Sequence, residues 1–395
     1  MNQAVKSSAA PSYVEQRSSV SNQPAAFADL ISIVEARREE FQRIKHVPRD
    51  VVDAMKRAGI FRASTPRRFG GDALPPSTFL EMVERISEAD GSTGWVAAFG
   101  SANTYNAALP VETQAIIYAD GPDQVSGGGL YPIQQARRVE GGWDVAGRWR
   151  FGSGCKGADW LSVGIGSMDP NNPTSKPIAA VLPASKITIV DNWDVVGMEG
   201  TGSHDLVVDH VFVPDEWTFI RGGAPTIDEP LYRYPAVSLQ AQVHASVNLG
   251  LARAALKLME ELGGGGRVTQ PGSRLADRCY YRIDLARAHA AFLSARSFFY
   301  ETTAEVWEQI ERGNEPSVEQ VTRARLGATH AAHTCADVIV QSYKTAGMSA
   351  IFSENRLQWI LRDSLVVTQH ATLSEATYDS AGAILAHVKP VVPFP

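Results

Sequence analysis

Two histidines in the last quarter of the chain are spaced as metal ligands on one helix would be. His330 and His333 lie three residues apart, a separation that puts two imidazoles on the same helix face. Two imidazoles do not complete a coordination shell by themselves, so the spacing favours a pair on the helix surface or in the core. The three cysteines, Cys155, Cys279 and Cys335, are widely spaced and form no CxxC pair. The sequence therefore predicts neither a metal site nor a disulfide framework.

Motifs of several large enzyme classes are missing from the sequence. No GxGxxG fingerprint follows a strand pattern and opens a helix, and Gly127–Gly129 resembles that fingerprint only in its glycine count. A P-loop, a GxSxG nucleophile elbow and an HExxH zinc motif are also missing. A nicotinamide-binding Rossmann site is therefore not indicated.

Composition argues against further classes of partner. Of the 395 residues, 37 are basic and 43 acidic, for a net charge of −6. This balance does not favour nucleic acid or an anionic membrane surface, and no run approaches the ~20 apolar residues of a membrane-spanning helix. Unpaired cysteines, and the lack of an apolar signal stretch in residues 1–24, fit a soluble, cytoplasmic protein.

Three blocks of different periodicity must position any functional residues. Residues 1–24, rich in Ser, Ala, Gln and Pro, predict a flexible tail. Residues 25–122 show helical periodicity, residues 123–235 alternate as strands do, and residues 236–395 return to long helical patterns. Helices, then strands, then helices predict an α+β fold in which a compact β domain separates two helical units.

Five segments in chain order resemble the acyl-CoA dehydrogenase family: 59–61 with 66–71, 91–95, 147–154 with 158–160, 196–205 with 211–214, and Arg362-Asp363 after Gly347 and Arg356. The resemblance covers about residues 25–390. It implies the acyl-CoA dehydrogenase fold, with an N-terminal helical domain, a central β-barrel-like domain and a C-terminal helical bundle. A flavin would pack on the strand and turn at 147–154.

The position of the catalytic base separates two activities within that fold. Its dehydrogenases abstract a substrate proton with a glutamate that commonly follows Arg-Asp by eight residues. Here that position holds Ala371, which cannot abstract a proton, and its neighbour is His370. A histidine at this place, and the pattern Ser-Gly-x-x-x-Ala-x-Trp at 153–160, are typical of the two-component aromatic monooxygenases of group D. The resemblance therefore implies an oxygenase.

In such an enzyme, reduced flavin from a separate NAD(P)H-dependent reductase captures O2 as a C4a-hydroperoxide, which must be shielded from water. Oxygen is then transferred to a small aromatic molecule by hydroxylation or epoxidation. The implied catalytic residues are His370, a base or hydrogen-bond donor with a pKa near neutral, and Ser153, a hydrogen-bond partner of the flavin N5 edge. Further implied contacts with the flavin are Trp149, Phe151, Ser153, Thr201, Ser203, Arg356 and Arg362. Core packing is an equal alternative for the tryptophan.

Substrate and assembly are implied by the same resemblance. Trp95, Asn103 and Tyr131 are expected to contact substrate, with surface hydrogen bonding the alternative for Asn103. The chain, including residues 197–205, looks closest to the branch that oxidises indole or indole-3-acetate, which implies FAD, with FMN open. The fold implies a homotetramer, with Arg356 and Arg362 near a neighbouring subunit's flavin.

Three other activities remain open on the sequence. The chain would be an acyl-CoA dehydrogenase if a displaced carboxylate, such as Glu301 or Glu305, served as base. It would be a phenol-type hydroxylase of the same fold if the substrate carried an ionisable hydroxyl. It would be a flavin- or acyl-binding protein if catalysis had been lost.

Overall fold

The computed structural model describes residues 13–167, 177–264, 274–391 and Phe394. The N-terminal part is helical: α1 Tyr13–Ile44, α2 Arg49–Arg57, α3 Pro76–Ala89, α4 Gly91–Ala98, α5 Asn103–Asn106 and α6 Val111–Ile117. Helix α4 is capped by Asp90, whose carboxylate accepts a hydrogen bond from the Thr93 amide at 2.7 Å.

Within the segment predicted as a flexible tail, α1 begins at Tyr13 and residues 13–24 are helical. Leu30, Val34 and Phe41 bury one face of α1 completely, and a helix that is anchored by packing extends at little cost per residue. Residues 1–12 lie outside the described residues.

In the described part of the chain, seven strands form the central sheet: β1 Ser126–Val139, β2 Gly142–Gly152, β3 Trp160–Ser167, β4 Ile178–Pro183, β5 Thr188–Val190, β6 His204–Pro214 and β7 Thr218–Ile220. Their order is β5-β6-β2-β1-β3-β4-β7. Strand β1 pairs parallel with β3 from Ser126 onward and antiparallel with β2 at its far end, with a register shift between Gly129 and Gln134. The inward-facing residues, among them Trp149 and Leu161, form a core of their own.

The C-terminal part is again helical: α7 Pro230–Arg233, α8 Ala236–Gly264, α9 Cys279–Glu311, α10 Val318–Ala346, α11 Arg356–Thr368 and α12 Ala376–Leu385. Helix α8 is buried along most of its length and shares one hydrophobic core with the N-terminal helices. At Gly250 it approaches α3 so closely that an added Cβ would lie 2.2 Å from the Glu84 carbonyl oxygen.

The order of helices, strands and helices is the predicted one, and the α+β fold class is confirmed. No helix in the described part of the chain is long and apolar enough to cross a membrane. The same residues contain no cluster of three or more metal-ligating side chains. Of the histidines at 330 and 333, His333 donates from Nε2 to the Leu373 carbonyl at 2.8 Å, and His330 is exposed on α10.

Candidate active site

A cavity of about 530 Å³ opens where the N-terminal helices, the sheet and the C-terminal helices meet. This volume is within the usual range for a site that holds a cofactor or small molecule. No Asp or Glu of the described residues lines it, and its only lining cations in that part of the chain are Arg150 and Arg221. Aromatic side chains form much of the wall: Trp95, Phe99, Tyr105, Tyr131, Phe151, Trp160, Trp193 and Phe219.

His370 reaches the cavity from the chain that follows α11. It has an extended backbone and opens a short helical turn, where its Nδ1 lies 2.8 Å from the Thr372 hydroxyl and accepts from the Thr372 amide at 3.4 Å. A backbone N–H can only donate, so Nδ1 is the acceptor and the proton of the neutral ring is on Nε2. His370 therefore presents a hydrogen-bond donor through Nε2.

A second histidine lies beside the first. His244, on α8, stacks on the Trp95 ring with centroids 4.3 Å apart and an interplanar angle of 19°. Its centroid is 4.0 Å from that of His370. Among the described residues, the buried Nδ1 of His244 has no hydrogen-bond partner. The site thus contains a histidine pair, His244 and His370, with an unused polar atom.

Both imidazoles of the histidine pair are neutral at physiological pH. Burial lowers the pKa of His244 well below its ordinary value, and the nearby His370 and Arg221 act in the same direction. Desolvation, with a smaller effect of Arg221, lowers the pKa of His370 to about 4. The near-neutral pKa expected for His370 is therefore corrected. The ring is only half-buried, but the protein around it removes enough water to disfavour the charged form.

A chain of buried hydroxyls begins at Trp95, the ring on which His244 stacks. The Trp95 Nε1 donates to the Ser153 oxygen at 3.2 Å, Ser153 lies 2.6 Å from Ser203, and Ser203 lies 2.7 Å from Thr201. Thr201 donates to the Met198 carbonyl at 2.8 Å. Because a carbonyl only accepts, the hydroxyl hydrogens point in sequence from Ser153 toward Met198. The hydroxyl chain therefore offers a ligand an oxygen lone pair of Ser153.

Two residues that line the cavity have left-handed backbones. Phe151, which is 65% exposed, has a φ of 62°, and Met198 has a φ of 53°. Such values are uncommon outside glycine and cost free energy, so they cluster where function requires them. The Met198 amide donates to the buried Asp363 carboxyl at 2.5 Å, which ties the loop to α11.

Seven of the predicted site residues line the cavity: Trp95, Tyr131, Phe151, Ser153, Thr201, Ser203 and His370. Four do not. Trp149 is completely buried in the sheet core and donates to the Gly164 carbonyl at 2.8 Å. Asn103 is buried behind the wall and donates to the Phe61 carbonyl at 3.0 Å.

The two predicted flavin-binding arginines also lie away from this cavity. Arg356 donates to the carbonyls of Glu88 and Ala89, and Arg362 pairs with Glu199 at 3.8 Å. Both already have partners within the chain. Their role toward a neighbouring subunit's flavin stays a prediction.

Sequence reasoning missed His244 and Arg221. His244 belongs to a run of polar residues on an otherwise apolar helix, with Gln242, Ser246 and Asn248, and such buried polar positions were an available signal. Arg221 directly follows the short strand β7, and nothing in its neighbouring sequence indicates a site.

Comparisons with known proteins agree with this geometry. The families "Acyl-CoA dehydrogenase, N-terminal domain" and "Acyl-CoA dehydrogenase, C-terminal domain" match residues 26–110 and 242–375. The chain is 47% identical to an indole-3-acetate monooxygenase of Pseudomonas putida, over 90% of this chain and 91% of that one. It is 29% identical to the oxygenase component of an FADH2-dependent resorcinol hydroxylase of Rhizobium sp., over 91% of both chains. The chain belongs to the flavin-dependent monooxygenases of the acyl-CoA dehydrogenase fold.

Structural similarity to this monooxygenase family extends over nearly the whole chain. The crystal structure of a 3-HSA hydroxylase from Rhodococcus sp. RHA1 superposes with a TM-score of 0.88 at 25% identity, covering 94% of this chain and 98% of that one. The monooxygenase interpretation is thus favoured over the dehydrogenase. The glutamates suggested as displaced bases are not placed for that role. Glu301 and Glu305 pair with Arg323 at 3.7 and 3.0 Å, and neither lines the cavity.

Proposed function

We propose that the protein is the oxygenase component of a two-component system and inserts oxygen into a small indole, with indole-3-acetate the preferred substrate. A separate NAD(P)H-dependent reductase supplies reduced FAD, and O2 is the co-substrate. The observation that carries the proposal is an aromatic cavity with two neutral histidines and no carboxylate, in a chain 47% identical to an indole-3-acetate monooxygenase. A phenol-type hydroxylase has less support, because a neutral histidine pair with lowered pKa values is poorly suited to deprotonate a hydroxyl.

The cavity has the groups that a flavin requires. Reduced flavin, when bound, activates O2 and supplies the oxygen atom to the substrate. Ser153 has a lone pair that would accept a hydrogen bond from a flavin N–H, and Phe151 and Trp193, whose ring centroids are 6.3 Å apart, would provide apolar surface. Arg150 lines the cavity, is exposed and makes no ion pair with the described residues, so it is available to a flavin phosphate.

Aromatic and histidine side chains divide the remaining work. The aromatic wall limits the water that reaches the site, which would protect a reactive oxygen donor from decay. His370 acts through its Nε2–H as a hydrogen-bond donor and holds its proton. The unpartnered Nδ1 of His244 is costly in the protein alone, and a polar atom of the substrate would satisfy it.

The experiment that tests the function supplies full-length protein with reduced FAD and air, and follows oxygen uptake together with indole-3-acetate by chromatography. Substrate consumption coupled to oxygen uptake is expected, and indole in its place should yield blue indigo. Oxygen uptake that leaves both compounds unchanged would contradict the proposal. Reduction of bound oxidised flavin by an acyl-CoA would indicate the dehydrogenase instead.

The role of His370 has its own variant. His370→Gln should lower the fraction of oxygen uptake that forms product by about 10-fold, since it disrupts a positioned hydrogen bond, and such a loss costs on the order of 1 kcal/mol or more. His330→Gln, an exposed histidine outside the cavity, is the matched control and should retain full coupling. Full coupling in the His370 variant would remove this residue from the mechanism.

A further inference from the structure

Arg221 is a cavity cation that has no anionic partner among the described residues. It directly follows β7, and its guanidinium lies over the Tyr105 ring, 5.0 Å from the centroid. The Tyr105 hydroxyl is held in turn by the Ala236 carbonyl at 3.2 Å. No carboxylate of the described residues lies within ion-pair distance of Arg221, and none lines the cavity.

The neighbours of Arg221 cannot neutralise its charge. The charge of Arg221 acts on both members of the histidine pair and lowers their pKa values, so a second positive charge is disfavoured there. Gln240, on the same helix as His244, also lines this end of the cavity and is uncharged. A half-buried guanidinium without a carboxylate partner among the described residues is available to bind an anion.

The two cavity arginines belong to different elements. Arg150 is on β2 next to Phe151, one of the residues assigned above to the flavin. Arg221 follows β7, the edge strand four positions away from β2 in the sheet. Its charge lowers the pKa values of both members of the histidine pair. One positive charge thus lies on the side of the flavin contacts and one on the side of the histidines.

We propose that Arg221 binds the carboxylate of an aryl-acetate substrate and makes the site select that acid over the uncharged arene. The inference rests on the proposed function, of which it names the specificity-determining residue. A guanidinium binds a carboxylate with two parallel hydrogen bonds, and stacking on Tyr105 restricts its rotation before the ligand arrives. The aromatic ring of the substrate then occupies the apolar part of the cavity beside the histidine pair.

Calorimetric titration of full-length protein tests the assignment without turnover. The ligands are indole-3-acetate and indole-3-acetamide, which have nearly the same shape but differ in charge, and reduced FAD under anaerobic conditions. Wild type should bind the acid more tightly than the amide. Arg221→Gln should weaken binding of the acid about 10- to 100-fold, as expected for a lost charge-assisted hydrogen bond, with little change for the amide or for reduced FAD.

Two further variants complete the design. Arg221→Lys should recover part of the preference for the acid, because it restores the charge without the planar fork. Arg150→Gln, which removes the other cavity cation, should keep the preference for the acid and weaken the binding of reduced FAD.

The outcomes separate this inference from the proposed function. Equal losses for acid and amide in Arg221→Gln, or a wild type without preference, would overturn the assignment. A loss confined to reduced FAD would show that the guanidinium serves a flavin phosphate. If wild type binds indole-3-acetate through Arg221 but never oxidises it, the proposed substrate fails while the carboxylate site stands.

Discussion

At the scale of single residues, the structure decides the direction of each hydrogen bond more than the choice of site residues. Ser153 and His370 could be chosen from the sequence, but whether each donates or accepts depends on partners from distant segments. The Met198 carbonyl orients the hydroxyl chain, and Thr372 fixes the proton of His370 on Nε2. If the loop after α11 had a different conformation, His370 would offer a different hydrogen bond to the ligand.

Ser153→Ala is expected to weaken the binding of reduced flavin more than that of oxidised flavin. Reduced flavin carries a hydrogen on N5, which the lone pair of Ser153 would accept under the proposed function, whereas oxidised flavin has no such donor at N5. Loss of one hydrogen bond should lower affinity for the reduced form about 2- to 10-fold. Anaerobic calorimetry of both redox forms measures this, and Ser246→Ala, a buried serine outside the cavity, serves as control. Equal weakening of the two forms would contradict the assigned polarity.

The pH profile should reflect the lowered pKa of His370. Since that pKa is about 4, the ring stays neutral from pH 5 upward, and its protonation should affect kcat/KM only as pH falls towards 4. The rate with indole-3-acetate is therefore expected to lack an ionisation near pH 6.5. An acid limb near 6.5 that disappears in His370→Gln would show that the ring titrates as an ordinary histidine.

At the scale of elements, α8 is the piece that joins the cavity to the rest of the protein. It places Gln240, Val243 and His244 on the wall because residues three and four apart share a helix face. About two turns further along, α8 packs on α3, where Gly250 permits close approach. Small and apolar residues in the α8 sequence predict a buried helix, but not which neighbour it meets.

Gly250→Ala should destabilise the protein by about 1–3 kcal/mol or more, since the new Cβ would meet the Glu84 carbonyl at 2.2 Å and overpacked interfaces carry this cost. Gly264→Ala, in the same helix with no atom within 4 Å of an added Cβ, should be neutral or slightly stabilising. Urea unfolding of both variants measures the difference. Similar free energies of unfolding would mean that α8 and α3 are farther apart.

At the scale of the whole molecule, buried carboxyls connect the helical parts to the sheet. Asp363, on α11, accepts a hydrogen bond from the Met198 amide of the cavity loop. Its burial, with the neighbouring charge of Asp90, raises the pKa of Asp363 to about 8. The folded protein therefore holds a proton there that the unfolded chain releases at far lower pH.

Stability should fall with rising pH because of this carboxyl. The folded pKa lies above the unfolded one, so the stabilising contribution is complete below about pH 4 and is lost as pH rises through 8. Asp363→Asn removes this dependence, and its amide oxygen can still accept from Met198. Thermal unfolding from pH 5 to 9 should show wild type losing stability relative to the variant. Parallel curves would mean that Asp363 is ionised in the folded state.

The homotetramer remains a prediction, to which the surface adds support. Several large apolar side chains of the C-terminal part are exposed: Met348, Ile351, Phe352, Leu385, Val388 and Val391. Exposed apolar surface of this kind marks association sites. Light scattering after size exclusion should give four times the 42.7 kDa chain mass, and Phe352→Glu should reduce it. A monomeric wild type would contradict the prediction.

The sequence by itself determined the order of helices and strands, the family and the monooxygenase class. Periodicity, the glycine-rich turns and the replacement of the expected glutamate by Ala371 are all local patterns. Only the tertiary structure decided that Trp149 and Asn103 support the wall from behind, and that His244 and Arg221 line the cavity. The reason is physical: direction of a side chain, loss of water around it and the partner of its hydrogen bond depend on residues far away in the chain. Local spacing does not encode any of these three.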